Sequence, residues 1–477
     1  MKHYLAKFFF APLIVILMYA IFFQEVLIGV VSKNFLYIDE VLLVLAVLLM
    51  FFPINRDTDY TKMVFGSLVM VVIFFAASFN SYSFRSELII FTQILMHFKA
   101  FFLFLLLYNF KEYINTRLVV HIFLLMTIAG VAFNVLLGEQ FNALLKADIS
   151  HRFGMVRPVG IQASTINLGV TFAFFYLFYM FYKPVQNYVK TLPMSLSFAF
   201  ICLFSSLRTP FVALIASFMF IFGASWRKVI LGVVVLAILT PFFLTEYMEE
   251  LVLMTIDNIS TDPTESEYIR GIMIYFSVIL AAKYFPFGTG AASYGTFLSD
   301  NSPVYREIGM SESYYFQLKW GIYDSNWASV LGEFGFLGLS LFCFFFYKMF
   351  RLIHKAGATR SFCITFFIMV MFYSLVAPIF MTSYPALLLA LVMTAAVPSI
   401  KVKEREVAKA AAVEARAARA RAMTAAALAG AVEGPAVEGV VEGVVEGVVE
   451  GVVEGVVEGV VEGVVVKSAV EDKSKSS

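Results

Sequence analysis

Charge is scarce in this chain. Of its 477 residues 14% are Asp, Glu, Lys or Arg against 61% hydrophobic, and 35 basic and 34 acidic residues leave a net charge of +1. So apolar a composition excludes a soluble domain of this length. The charge balance gives no argument for a nucleic-acid partner, and none is expected. Cysteine is nearly absent: Cys202, Cys343 and Cys363 all fall inside apolar runs, which excludes an extracellular disulfide framework. There is no Cys/His cluster at metal spacing, no Gly-rich phosphate loop before a Lys-Ser/Thr pair and no dinucleotide fingerprint. An ATP-driven pump is thereby set aside.

What the chain does have is long apolar runs. Segments of roughly 16–22 residues recur throughout and read as transmembrane helices, so the expected fold is an all-α, polytopic integral membrane protein with about 12 transmembrane helices. They are placed at Phe8–Phe23, Phe35–Phe52, Met63–Phe79, Leu88–Tyr108, Leu118–Leu137, Ile161–Tyr182, Leu192–Ser206, Phe211–Ala224, Val229–Leu244, Trp327–Phe350, Phe362–Phe380 and Tyr384–Val397. Residues 1–244 then carry helices 1–9, residues 245–326 one large polar loop, residues 327–397 the last three helices, and residues 398–477 a tail. The first run follows Lys2 and Lys7 but lacks a small-residue cleavage site, and is read as a retained helix. In the tail, Lys401–Arg421 is Ala-rich with basic residues in excess, a helix suited to an anionic leaflet. Beyond it the Val-Val-Glu-Gly repeat of Val437–Val464 suits neither a stable helix nor a core.

Basic residues set the orientation. Arg56/Lys62, Lys111/Arg117, Lys183/Lys190, Arg227/Lys228, Arg351/Lys355/Arg360 and Lys401/Lys403/Arg405 all fall on the side of the N-terminus, so both termini are expected in the cytoplasm. The large loop, the Gly138–Gly160 loop and the Leu207–Pro210 turn then face outward, and their arginines stand out. Arg208, alone in a tight outward turn, is a candidate anion ligand; the plain alternative is an arginine snorkelling to headgroups. Arg157 and Arg270 share this status, whereas Arg306 and Lys319 read as solvated loop charges. Ile269–Tyr284 is too short and too flanked by charge for a span, and reads as a helix on the surface or dipping into a cavity. His97 and Lys99 lie mid-span and are expected to pair with acidic groups, not to catalyse.

Several motifs then occur in order: Ser205-Ser206-Leu207-Arg208 closing a span, Phe287-Gly288-x-Gly290 in the large loop, Asn326, and Glu333-x-Gly335-x-x-Gly338 after it. Together they resemble the O-antigen ligase/polymerase superfamily over Arg152 to Gly338. The resemblance implies a multi-pass glycosyltransferase of the bacterial inner membrane, taking a glycan from an undecaprenyl-diphosphate carrier at the outer face. The acceptor is another carrier-linked repeat unit (O-antigen or exopolysaccharide polymerase) or lipid A-core (ligase). It implies no cofactor, neither nucleotide sugar nor metal, and as partners the carrier-linked glycan, membrane lipids, and a chain-length regulator or flippase. Arginines at Arg208, Arg157 and Arg270 would meet the charge developing on the leaving diphosphate. Asp324 is the candidate base, with Glu333 as alternative; Asp324 could instead cap the helix beginning near Trp327, and Glu333 could instead hold that helix against the loop. Gly288, Gly290, Asn326, Gly335 and Gly338 carry the structural part of the motifs. Ligases often place a histidine just before the Asn position; here it reads Asp324-Ser325-Asn326 and residues 245–326 hold no histidine, which favours a polymerase. A secondary transporter or flippase of an anionic solute is the rival class, but it would need ionisable groups at the midplane and paired broken helices.

Overall fold

A computed structural model of the chain describes residues 2–52, 54, 58–79, 85–147, 151–152, 155–156, 158–182, 269–310, 314–319, 321–398, 415, 417–419 and 421–423. The chain divides into two units, Met1–Val397 and Pro398–Ser477. In the second, the described residues between Ala415 and Met423 are helical. Among its described residues the first is built of helices, apart from one antiparallel pairing of His151–Arg152 with Met155–Val156.

Its principal helices are α1 (Ala11–Phe22), α2 (Gln24–Val30), α3 (Ile38–Met50), α4 (Thr58–Phe79), α5 (Glu87–His97), α6 (Lys99–Asn109), α7 (Thr116–Leu137), α8 (Thr165–Tyr182), α9 (Ile269–Lys283), α10 (Asn326–Lys355), α11 (Arg360–Val376) and α12 (Ser383–Ala395). Their starts follow ordinary capping chemistry. Asn115, Ser325 and Thr359 accept from the backbone N–H three residues on, at 3.1, 3.2 and 3.2 Å, satisfying donors that the helix leaves unpaired.

Three of the described helices, α4, α7 and α10, are long and apolar enough to cross a membrane. The 22 residues of α4 and of α7 extend about 33 Å at ~1.5 Å per residue, matching a ~30 Å hydrocarbon core. Two further crossings arise if bent pairs are counted: the segment ending in α1 joins α2 at 68°, and α5 joins α6 at 59°. The apolar helices α8, α11 and α12 are shorter. The described residues thus give three to five spans by length and composition, not the expected count of about twelve, and the expected spans over Leu192–Leu244 lie outside them. The expected fourth span, Leu88–Tyr108, is broken at Phe98, with helix on either side.

The centre of the unit is α6 packed against α12. All 11 residues of α6 are buried, as is α12 from Tyr384 to Ala395, so both are wrapped by protein on every side. Phe101 of α6 lies against Phe342, Phe345, Phe346 and Phe380, an aromatic seam joining it to α10. By contrast Phe65 and Val72 on α4 and Leu125 and Leu136 on α7 are exposed, the surface that a bilayer's acyl chains would cover. The short helix expected near Ile269–Tyr284 is present as α9, with Ile272, Met273, Ser277, Leu280 and Ala281 buried and its main packing against α10.

Arg306 is exposed on the segment expected to face outward. An impermeant maleimide should therefore label Arg306→Cys in intact spheroplasts; protection until the cells are lysed would place this loop on the other face.

Candidate active site

The polar site begins with a defect in α10. Capped by Ser325, the helix starts at Asn326 and runs to Gly335, whose φ of 64° and ψ of −168° lie in a region that only glycine adopts readily. In an unbroken helix the Gly332 and Glu333 carbonyls would accept from the backbone N–H four residues on. Here they accept from the loop: Gly332 O takes Thr289 N and Thr289 Oγ1, both at 2.9 Å, and Glu333 O takes Gly290 N at 2.8 Å. In return Leu337 N donates to Pro286 O at 3.4 Å. Residues 286–290 thus stand in for a turn of helix.

That docking is possible because the two backbones touch. A Cβ built on Gly288 would lie 2.5 Å from Gly335 N, and one on Gly335 would lie 2.4 Å from Pro286 O. The Phe287-Gly288-x-Gly290 and Glu333-x-Gly335-x-x-Gly338 motifs, separate in sequence, are one structural element. Gly338 is buried in α10 just beyond the break.

Glu333 sits at its heart, fully buried. Its Oε1 accepts from Ser293 N at 3.0 Å, Tyr294 N at 3.3 Å and Thr296 Oγ1 at 3.1 Å. Its Oε2 lies 2.8 Å from Nε2 of His97, also fully buried, so His97 donates to the carboxylate from the end of α5. His97 Nδ1 has no partner. Both carboxylate oxygens are therefore occupied by protein donors. Removing one partner of such a buried pair typically costs about 3–5 kcal/mol, because the other is stranded.

Across the break at Phe98, Lys99 Nζ donates to Asp39 Oδ2 of α3 at 2.5 Å, and Asp39 also accepts from Ser383 Oγ of α12. The expectation that His97 and Lys99 pair with acidic groups is met, by Glu333 and Asp39. That His97 reaches Glu333 in particular, 236 residues away, carries no local signal in the sequence.

At the more exposed end of the site, Arg270 of α9 and Asp324 form an ion pair at 2.8 Å, their side chains 26% and 32% exposed. Two expected roles, diphosphate ligand and base, thus fall on one pair. Arg270 Nε is buried without a partner. The cap of α10 is Ser325 and not Asp324, which corrects the capping alternative: the Asp324 carboxylate is drawn sideways to the guanidinium on α9. Asn326 is buried, accepts from Phe380 N at 3.1 Å, and has an unpartnered Nδ2; it lines a small apolar cavity with Trp327, Phe342, Met371 and Ser374. Lys319, expected as a solvated charge, is paired with Asp300, which also accepts from the Tyr323 hydroxyl. Burial first, and then that carboxylate, push the Tyr323 phenol well above its ordinary range. Arg208 and Arg157 lie outside the described residues. Among the described residues no three His, Cys, Asp or Glu side chains gather as metal ligands would.

Apolar helices, bent helix pairs and ionisable groups paired inside the helical unit suggest a membrane protein with a polar loop locked onto a broken helix. A model of the O-antigen ligase family matches residues 193–343, a match consistent with the O-antigen ligase/polymerase superfamily. The match contains Arg208, Arg270, Gly288, Gly290, Asp324, Asn326, Glu333, Gly335 and Gly338, and leaves out Arg157 and His97. No curated protein matches the chain.

The glycine contacts give a direct test. Gly335→Ala should destabilise the protein by about 2 kcal/mol or more, from backbone strain and collision with Pro286 O together. Thermal unfolding of the purified protein measures it, and an unchanged midpoint would show that the break is not fixed as described.

Proposed function

We propose that the chain is a membrane glycosyltransferase that joins undecaprenyl-diphosphate-linked oligosaccharide repeat units at the outer face of the inner membrane. The observation that carries this reading is the part-exposed Arg270–Asp324 pair, set at the start of α10 within the family-matched segment. The acceptor hydroxyl oxygen attacks the anomeric carbon of the donor glycan. The bond from that carbon to the diphosphate breaks, and its electron pair leaves with the diphosphate. The hydroxyl proton passes to Asp324, held in place by Arg270. Charge growing on the diphosphate is met by guanidinium groups, for which Arg208, Arg157 and Arg270 are proposed, their forked donors matching phosphate oxygens. The reaction is proposed to run without a metal ion.

Glu333, whose oxygens are occupied by loop and histidine donors, is assigned the anchoring role and not that of a base. A transporter of anionic solutes is less well supported, since the buried ionisable groups Asp39, Lys99, His97 and Glu333 are partnered within the protein. Transfer to lipid A-core is the second reading, favoured by the family's description as O-antigen ligase. The absence of histidine from residues 245–326 supports the polymerase.

Asp324→Asn keeps the side chain's shape and leaves the Ser325 cap untouched while removing the proton acceptor. It should lower transfer by about a hundredfold or more, the scale of a lost general base. Polymer of unchanged length in this variant would remove Asp324 from the mechanism. In a deletion strain a single attached repeat unit on a polysaccharide gel is expected; full-length polymer stranded on its carrier would make the protein a ligase.

A further inference from the structure

His97 lies outside the family-matched segment, on a membrane helix that carries none of the motifs, yet it supplies the membrane-domain partner of Glu333. Through Glu333 it reaches Ser293, Tyr294 and Thr296, and from these the contacts fan out to both halves of the Arg270–Asp324 pair. Tyr294 OH donates to Met273 O at 2.7 Å, on the helix that carries Arg270. Phe297, next to Thr296, packs its ring 4.6 Å from that of Tyr323, the residue before Asp324. Gly295 N donates to Tyr305 OH at 2.7 Å, and the Tyr305 ring lies 5.6 Å from that of Tyr294, closing the loop on itself. On the opposite side His97 is fixed by the helix break at Phe98, pinned one residue further on by Lys99 and Asp39.

We propose that His97 is a positioning residue for the transfer reaction: its bond to Glu333 fixes the 293–297 loop, and the loop fixes Arg270 and Asp324 relative to each other. The proposal rests on the glycosyl-transfer reading for its activity arm, while its structural arm does not. The buried carboxylate needs a donor on its membrane side, and His97 provides it at 2.8 Å. Without that donor Glu333 turns from the loop or draws water in, and the N–H groups of Ser293 and Tyr294 lose their acceptor. The catalytic pair then samples geometries in which carboxylate and acceptor hydroxyl are misaligned. Binding of the carrier-linked glycan, spread over other contacts, changes little.

The test uses the full-length protein purified into lipid nanodiscs, with hydrogen exchange and transfer kinetics measured side by side. In His97→Ala the amides of Ser293 and Tyr294 should exchange about tenfold faster. kcat should fall about thirtyfold while KM for the carrier-linked glycan stays within about threefold, as misplacement of reacting groups demands. His97→Gln, whose amide reaches a similar distance with a donor, should restore most of both. If His97→Ala does not accumulate, Thr296→Val tests the second half of the chain of contacts, the hold of Glu333 on the loop, since it removes one loop donor from Glu333 and keeps the buried pair. Exchange and kcat both unchanged in the variant would overturn the proposal. So would faster exchange with unchanged kcat, since the loop would then not govern the pair. A fall in kcat that His97→Gln fails to rescue, with exchange restored, would overturn it in favour of the ring itself taking part. Wild-type protein that transfers no glycan while its exchange responds to His97→Ala would overturn the transfer reading and leave the mechanical tie standing.

Discussion

One carboxylate holds this architecture together. Glu333 is sealed inside the helical unit, where an unpartnered charge would cost several kcal/mol, and so it must collect donors. It draws two backbone N–H groups and a hydroxyl from the polar loop and an imidazole from a broken membrane helix. Segments far apart in sequence are thereby tied to one point. The Gly335 break next to it is the complementary device, for it exposes two helix carbonyls that the loop backbone then satisfies. Carboxylate and break together turn a polar loop into a fixed part of the helical unit.

The same logic of paired intramembrane charge recurs at Asp39 and Lys99. Each pair closes on itself within the protein, and the two flank a bend of 59° in one helix pair. Phe98 keeps helical bonds on both sides of the bend, its N–H donating to Ile94 O at 3.2 Å and its carbonyl accepting from Phe102 N at 3.0 Å, and the neighbouring pairs hold the two halves in a defined relation. Toward the end of the site where α9 meets the start of α10, by contrast, the Arg270–Asp324 pair retains contact with solvent. Burial thus separates groups that hold the structure from the groups proposed to react.

Much of this is legible in the amino-acid sequence. Glycine at 288 and 335 in a chain of large apolar residues marks places where backbones approach closely, and the docking of residues 286–290 on Gly332–Leu337 is that approach. A membrane protein follows from composition, and the short helix α9 from its length and flanking charges. Other features lie beyond local reading. Neither Phe23 nor Phe98 carries the proline or glycine that signals a bend, so bent helix pairs read as straight spans. The Glu333–His97 contact joins residues 236 apart, and no periodicity encodes such a partner. Asp324 and Ser325 are both good caps at adjacent positions, and the choice between them is made by Arg270, on a different helix.

A double-mutant cycle between Glu333 and Thr296 addresses the central claim most directly, because it isolates the link between the buried carboxylate and the loop from the cost of either substitution alone. Unfolding free energies of the wild type, Glu333→Ala, Thr296→Val and the double variant would be compared in one lipid environment. A coupling of about 1.5–3 kcal/mol is expected, as for a hydrogen bond to a charged group. A coupling near zero would mean that the loop is held by something else and that Glu333 is not its anchor.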